Sequence, residues 1–387
     1  MFLLKVLFCV FVLSGSEISF ALAERRCFDC VSISSCESGL DFARGIRQGT
    51  LPPTSRQTFF DAICGYDAND SRIPKVCCSD FQMSVTTSMR PAPIPHILDP
   101  IESHPNVGLL PTSCGSGYNR IENFYCRISR GAVSQLYELP WMTLIQYNYR
   151  NAGVFTRCAG SIINSRYILT AAHCVTNGRR LRRIDKVRVG EFDYSKDVDC
   201  QTDSCGFDMI CESKIQDIDV EEIIPHERFT GLLDGSVEGD IALLRLSEPI
   251  NMTNNAAPIC LPIHSNLRNV HLAGYFGQIA GWGVTENGYE STELLKADVQ
   301  ILTKDDCSYY YNSYESDTMF CAGATMSDTC KGDSGGPLIV ESDFNGQIRQ
   351  FQFGIVSSGL VGCGREFPGI YTDVTKYMSW ILDNIRP

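Results

Sequence analysis

A short apolar run, Val6 to Leu13, follows Lys5 near the start of the chain and gives way to the small-x-small triplet Ala21-Leu22-Ala23. A bilayer span takes about 20 apolar residues. Residues 1–23 therefore predict a secretory leader cut before Glu24, with a membrane anchor as the alternative. No later stretch is long and apolar enough to span. Two further apolar runs predict strands and stand directly behind reactive side chains: Ile241-Ala242-Leu243-Leu244 follows Gly239-Asp240, and Leu338-Ile339-Val340 follows the glycine-rich turn around Ser334. Over residues 80–126 apolar periodicity fades. Pro91, Pro93, Pro95, Pro100, Pro105 and Pro111 crowd that stretch, which predicts an extended linker open to proteases.

Length and charge narrow the classes. A chain of 387 residues predicts more than one domain, and 44% hydrophobic content is enough for a sizeable core. The net charge of −12 argues against nucleic acid or an anionic membrane as a partner. In a secreted chain the 19 cysteines read as a disulfide framework. Cys9 would leave with the leader, and the remainder is even. Cys27, Cys30, Cys36, Cys64 and the adjacent Cys77-Cys78 gather in residues 24–79. So small a segment has little core of its own, and crosslinks would stabilise it by restricting the unfolded chain. Six cysteines allow fifteen pairings, so spacing alone does not choose among them. A zinc site is the rival reading, opposed by the lack of histidine there and by an oxidising compartment. Asn69-Asp70-Ser71 and Asn251-Met252-Thr253 are N-glycosylation sequons.

A serine hydroxyl is a weak nucleophile; it needs a base to take its proton and fixed donors to hold the oxyanion. The stretch Cys330-Lys331-Gly332-Asp333-Ser334-Gly335-Gly336-Pro337-Leu338 presents Ser334 among glycines that let the backbone turn tightly. A plain turn before a strand would look the same. Ile168-Leu169-Thr170-Ala171-Ala172-His173-Cys174 adds a base, and Gly239-Asp240 adds a carboxylate at the head of a strand. Asp240 is then expected to accept from one ring nitrogen of His173 and fix the tautomer, so that the other faces Ser334. Backbone N–H groups of Gly332 and Ser334 are expected to form the oxyanion hole. His96, His104, His226, His264 and His271 have no such context and are assigned no role.

In chain order these residues stand as His173, Asp240, Ser334. With Asp328-Thr329-Cys330, Thr285-Glu286-Asn287-Gly288 and Gly354-Ile355-Val356-Ser357, residues 128–387 resemble the trypsin-like serine proteases of the chymotrypsin family. Val76-Cys77-Cys78 and the Cys30-Val31…Cys36 spacing give residues 24–79 a resemblance to the arthropod clip domain. Together these imply an all-β fold: a chymotrypsin-like double β-barrel, preceded by a small disulfide-rich clip domain and by a linker and activation segment over residues 80–127. In the clip segment the resemblance implies the pairs Cys27–Cys77, Cys30–Cys64 and Cys36–Cys78. In the protease segment it implies Cys158–Cys174, Cys307–Cys321, Cys330–Cys363, Cys200–Cys211 and a tether, Cys114–Cys260. By elimination Cys126 pairs with Cys205. The same resemblance makes Asp328 the carboxylate that receives a substrate Arg or Lys, with Gly359 and Gly369 as pocket walls. Ser357-Ser358-Gly359 replaces the family's Ser-Trp-Gly, so one aromatic platform is missing.

Secreted members of this family wait as zymogens. The candidate cut sites are Arg120-Ile121, Arg127-Ile128 and Arg130-Gly131. The new N-terminal ammonium must reach the carboxylate beside the nucleophile, Asp333, because either charge alone inside is costly. The family places its first residue a fixed distance before a Pro-Trp pair, here Pro140-Trp141, which selects Arg127–Ile128. Ile128-Ser129-Arg130-Gly131 departs from the usual Ile-Val-Gly-Gly. The acidic stretch Gly190 to Cys200 resembles the family's calcium loop. That resemblance implies Glu191 and Asp199 as carboxylate ligands, with carbonyls of Asp193 and Lys196; a solvated acidic loop is the alternative.

The expected protein is a secreted haemolymph serine endopeptidase zymogen in an innate immune cascade (Toll signalling or melanisation). Its implied partners are an upstream activating protease, a downstream zymogen or cytokine precursor, and serpin inhibitors. A non-catalytic clip-domain scaffold and a digestive protease are the alternatives. The intact His173, Asp240 and Ser334 oppose the first, and the clip segment with its tether opposes the second.

Overall fold

Apolar runs in this chain are either continuous or alternating, and the two kinds build different walls of the same barrels. Tyr167–Thr170 and Ala242–Leu246 are buried at every position, as suits strands covered on both faces. Ile184–Val189 alternates near its end, burying Val187 and Val189. The computed structural model describes residues 30–47, 59, 62–66, 74–81, 99–117, 132–149, 153–178, 180–202, 209–231, 238–284, 289–311, 317–323, 333–344, 347–358 and 367–387. The chain divides into two units, Met1–Ala92 and Pro93–Pro387.

In the first unit a three-stranded antiparallel sheet places Pro74–Cys77 between Cys30–Ser32 and Ile63–Tyr66. The helix Glu37–Arg47 contributes Phe42, whose ring lies 5.0 Å from that of Phe81. Cys36, Ala62 and Val76 complete a small core. The disulfides Cys30–Cys64 and Cys36–Cys78 crosslink it. Cys77 is also disulfide-bonded, and its expected partner, Cys27, lies outside the described residues.

In the second unit six strands close a barrel: Met142–Tyr149, Gly153–Ile162, Tyr167–Thr170, Ile184–Val189, Gln216–Pro225 and Ala242–Leu246. A second ring of six comprises Phe276–Gly281, Leu295–Ile301, Met319–Gly323, Pro337–Phe344, Gln347–Ser358 and Gly369–Asp373. Pairing of Phe276–Gly281 with Leu295–Ile301 closes this ring, and the short strand Ala132–Val133 adds to its edge. Closure leaves few unpaired edges. Trp141, Ile168, Leu243 and Leu244 lie in the main core, and Leu338, Phe351, Phe353 and Tyr371 in the second.

The expectation of an extended linker over residues 80–126 fails for 99–117, which fold as part of the second unit. Leu110 is buried in the main core and Ile101 and Leu109 pack beside it. Burying these side chains outweighs the extended tendency of the prolines, because each apolar side chain removed from water is worth about 1.5–3 kcal/mol. Polar contacts fix the segment: Asp99 pairs with Arg268 at 2.5 Å, Ser265 N donates to Glu102 Oε1 (2.7 Å), and Asn106 Nδ2 donates to the Leu382 and Ile385 carbonyls. Cys114–Cys260 closes the clasp. Two histidines assigned no role serve here, His104 beside Asp383 (3.1 Å) and His264 beside Glu102 (3.6 Å). His226 packs edge-on against Tyr377.

Candidate active site

Strand register brings the base and the carboxylate together. Ala242 pairs with Thr170 in an antiparallel ladder. The residues just after Thr170 and just before Ala242 therefore emerge at the same end of the barrel. The chain past Thr170 turns into the short helix Ala172–Val175, which carries His173. Asp240, wholly buried, accepts twice from that residue: from His173 Nδ1 at 2.8 Å on Oδ2, and from His173 N at 2.8 Å on Oδ1. A buried carboxylate must be paired and hydrogen-bonded to be tolerated. Ser357 Oγ also donates to Asp240 Oδ2 (2.6 Å), and Thr372 Oγ1 donates to its main-chain carbonyl (2.8 Å).

Ser334 stands on the turn that leads into Pro337–Phe344 of the second ring. Ala159 N, from the first barrel, donates to the Ser334 carbonyl at 2.9 Å and joins the two halves at the nucleophile. Gly335 has φ 81°, and a Cβ there would strike Thr170 Oγ1 and the Ala159 carbonyl. No other residue fits that position. Gly335 N and Gly336 N donate to the carbonyls of Val356 and Asp333 at 2.8 and 2.9 Å. No hydrogen bond joins Ser334 Oγ to His173 Nε2 among the described residues; Nε2 lies 3.7 Å from Cys174 Sγ. Hydrogen bonds between nucleophile and base are often long without substrate and tighten in the complex. Cys158, His173 and Cys174 cluster as metal ligands would, but the two sulfurs are bonded to each other and neither is a thiolate.

The carboxylate of Asp333 sits where Trp282 and its flanking glycines make room. Gly283 N donates to Asp333 Oδ1 (2.9 Å), and a Cβ at Gly283 would lie 2.6 Å from that oxygen. Gly369 is buried at the start of its strand. Asp328, Gly332, Gly359, Arg127, Ile128, Asn69 and the pairs Cys126–Cys205 and Cys330–Cys363 lie outside the described residues, as does the leader. Cys158–Cys174, Cys200–Cys211 and Cys307–Cys321 are formed. Asn251 is exposed. Its main chain is fixed by Gln216 through N–H to Oε1 (2.8 Å) and Nε2 to carbonyl (3.0 Å).

The acidic loop is more buried than a solvated loop would be. Glu191, Asp193 and Asp199 are 5%, 2% and 2% exposed. Burial and the Asp199 charge push Glu191 up to about 7, although Arg188 at 3.2 Å opposes them. Burial raises Asp199 too, despite hydrogen bonds from the main-chain N–H groups of Asp193 and Phe192. For Asp193 burial acts upward, but hydrogen bonds from Lys196 and Ser195 outweigh it and bring the group down to about 2. Lys196 Nζ lies 2.5 Å from Asp193 Oδ2. The Asp193 carboxylate is thus taken by Lys196, while Glu191, although it keeps Arg188, is a buried acid whose ionisation the neighbouring Asp199 charge opposes. A divalent cation between them would relieve that conflict, so this donor set fits calcium.

The sequence motifs include Ser357 without giving it a contact to Asp240, and Thr372 lies in none of them. Each is a hydroxyl in a buried strand, and its partner, Asp240, is distant in sequence. Only the packing of the two barrels shows the contact.

The Trypsin family profile matches residues 128–381. Serine protease ea of Drosophila melanogaster is 35% identical over 366 residues, covering 92% of this chain and 88% of that protein. The Spaetzle-processing enzyme of the same species is 34% identical, covering 96% and 94%. Among solved structures, the Drosophila Grass clip serine protease of the Toll pathway superposes with a TM-score of 0.60 at 29% identity, covering 92% and 93%. The two-barrel fold is that of the trypsin-like serine proteases. Within that class the chain belongs to the insect clip-domain serine protease family.

Proposed function

We propose that the chain is a secreted serine endopeptidase zymogen, activated by cleavage at Arg127–Ile128, which cuts after Arg or Lys in a downstream protein of an immune cascade. The observation that carries this reading is the doubly bonded His173–Asp240 pair set at the nucleophile turn. His173 Nε2 takes the proton of Ser334 Oγ as that oxygen attacks the scissile carbonyl. Asp240 holds Nδ1 protonated and stabilises the imidazolium. N–H groups of Gly332 and Ser334 receive the oxyanion, and the imidazolium then gives its proton to the leaving amine. The freed Ile128 ammonium would enter beside Gly283 and pair with Asp333. Asp328, flanked by Gly359 and Gly369, would receive the substrate cation, with bidentate geometry favouring Arg.

The names of the relatives, a Spaetzle-processing enzyme and a protease of the Toll pathway, support a haemolymph cascade with an upstream activator, a downstream zymogen or cytokine precursor, and serpins as inhibitors. The fit of Glu191 and Asp199, with the Asp193 and Lys196 carbonyls, supports a structural calcium ion that steadies the loop and takes no part in the chemistry. Asn251, exposed in its sequon, is proposed as a glycan acceptor; Asn69 is proposed on its sequon alone.

The test is controlled nicking of the purified zymogen by a trypsin-like protease, followed by N-terminal sequencing and hydrolysis of Arg- and Phe-containing peptides. Ile-Ser-Arg-Gly appearing together with Arg-selective hydrolysis is the expected result. A clean Ile128 terminus without hydrolysis of any peptide refutes catalysis and favours the scaffold.

A further inference from the structure

The loop that follows the catalytic base is basic, although the chain carries a net charge of −12. Arg180, Arg182 and Arg183 are all exposed on it. The loop is held rigidly. Thr176 and Leu181 form a bridge, Thr176 Oγ1 donates to the Arg180 carbonyl (2.9 Å), and Arg180 N donates to Asn177 Oδ1 (2.8 Å). Gly178 has φ 85°, and a Cβ there would strike the Thr230 carbonyl. Arg182 Nε donates to the main-chain carbonyl of His173 at 3.0 Å, so the basic surface is continuous with the catalytic histidine. Among the described residues the guanidinium groups of Arg180 and Arg183 have no ion-pair partner. Asp185, next along the chain, is engaged by Asn148 Nδ2 (3.2 Å).

Direction follows from the chemistry. His173 hands its proton to the leaving amine, so the residues after the scissile bond depart on the His173 side. Unpaired cations fixed beside that exit raise the local concentration of an anionic chain. We propose that residues 176–178 and 180–183 form a specificity surface that reads acidic residues carboxy-terminal to the cleaved bond of the protein substrate. The proposal rests on the endopeptidase reading above and names a feature of its substrate.

The experiment uses the nicked full chain and two internally quenched peptides. They are identical up to and including the Arg before the cleaved bond, and carry either Asp-Glu-rich or Ser-Gly-rich residues after it. In low salt the acidic peptide is expected to have a kcat/KM about three- to tenfold higher, the size of two solvent-exposed ion pairs. The preference should fall toward one near 1 M NaCl, where the screening length is about 3 Å. It should also fall in R180Q/R183Q and persist in K304Q, which removes a cation exposed on another helix. Equal rates for the two peptides in low salt overturn the proposal, as does a preference that R180Q/R183Q leaves intact. Retention on a sulfated polysaccharide column that is lost in R180Q/R183Q, with no peptide preference, assigns the loop to polysaccharide and also overturns it. Hydrolysis of neither peptide refutes the endopeptidase reading itself.

Discussion

Replacing Glu191 with glutamine is expected to stabilise the calcium-free protein at pH 8 and to remove its response to calcium. In the folded chain this carboxyl is raised from 4.5 to about 7, chiefly by burial and then by the Asp199 charge. Between those values the folded chain keeps a proton that the unfolded chain has lost. Stability in chelator must therefore fall as pH rises through that window, and the loss is complete above about pH 7. At about 1.4 kcal/mol for each tenfold, the loss from this group is at most roughly 3.5 kcal/mol. In a domain of this size that corresponds to roughly 7–14 °C in melting temperature. Glutamine removes the charge conflict with Asp199. It does not strand Arg188, whose guanidinium also bonds Asp217 through Nε (2.7 Å) and a second nitrogen (2.8 Å). The assay is thermal unfolding of the zymogen at pH 5.5 and 8, in chelator and in millimolar calcium. Wild-type protein should lose stability from pH 5.5 to 8 only in chelator, and calcium should restore it by mass action. An equally steep loss in E191Q, or a calcium response that survives the substitution, would refute the reasoning.

Other substitutions separate chemistry from architecture. D240N should lower kcat about 10⁴-fold, the cost of the wrong histidine tautomer, measured on nicked enzyme with an Arg peptide. S357A removes a 2.6 Å bond to that carboxylate; kcat should fall about 10- to 100-fold with KM little changed, since hydrogen bonds to charged groups are worth about 1.5–3 kcal/mol. L110A opens a hole in the main core from outside the protease segment and should cost about 2–5 kcal/mol, read as a lowered melting temperature of the zymogen. After nicking, the two chains should run as one band without reductant and as two with it, because Cys114–Cys260 spans the cut; two bands without reductant would refute the tether.

What the sequence revealed was local. The strands behind Asp240 and Ser334 were legible because continuous apolar runs stood directly next to reactive side chains. The glycine at 335 was legible as a turn, though not as a position pressed against Thr170 Oγ1. Disulfide partners such as Cys158 and Cys174 came from family resemblance, since six or more cysteines do not choose their own pairing. The folding of residues 99–117 was illegible: prolines mask a sparse apolar pattern, and Leu109 and Leu110 find their core only in a different part of the chain. Ser357 was equally hidden, because its partner lies across the barrel interface. The basic loop at 176–183 was visible as letters, yet its continuity with His173 depends on one bond from Arg182 to a main-chain carbonyl.

After the proposed cut at Arg127–Ile128, the clasp formed by residues 99–117 would make the catalytic unit a two-chain object. Its outer strap is folded into the enzyme and also leads, without a break in the chain, to the amino-terminal unit. A molecule bound by that unit would stay tied through the chain to the catalytic unit after the cut. A substrate too dilute to be cut at random could still be consumed rapidly. Separating the two units would require breaking Cys114–Cys260 and the expected Cys126–Cys205 bridge as well as the packing of Leu109 and Leu110.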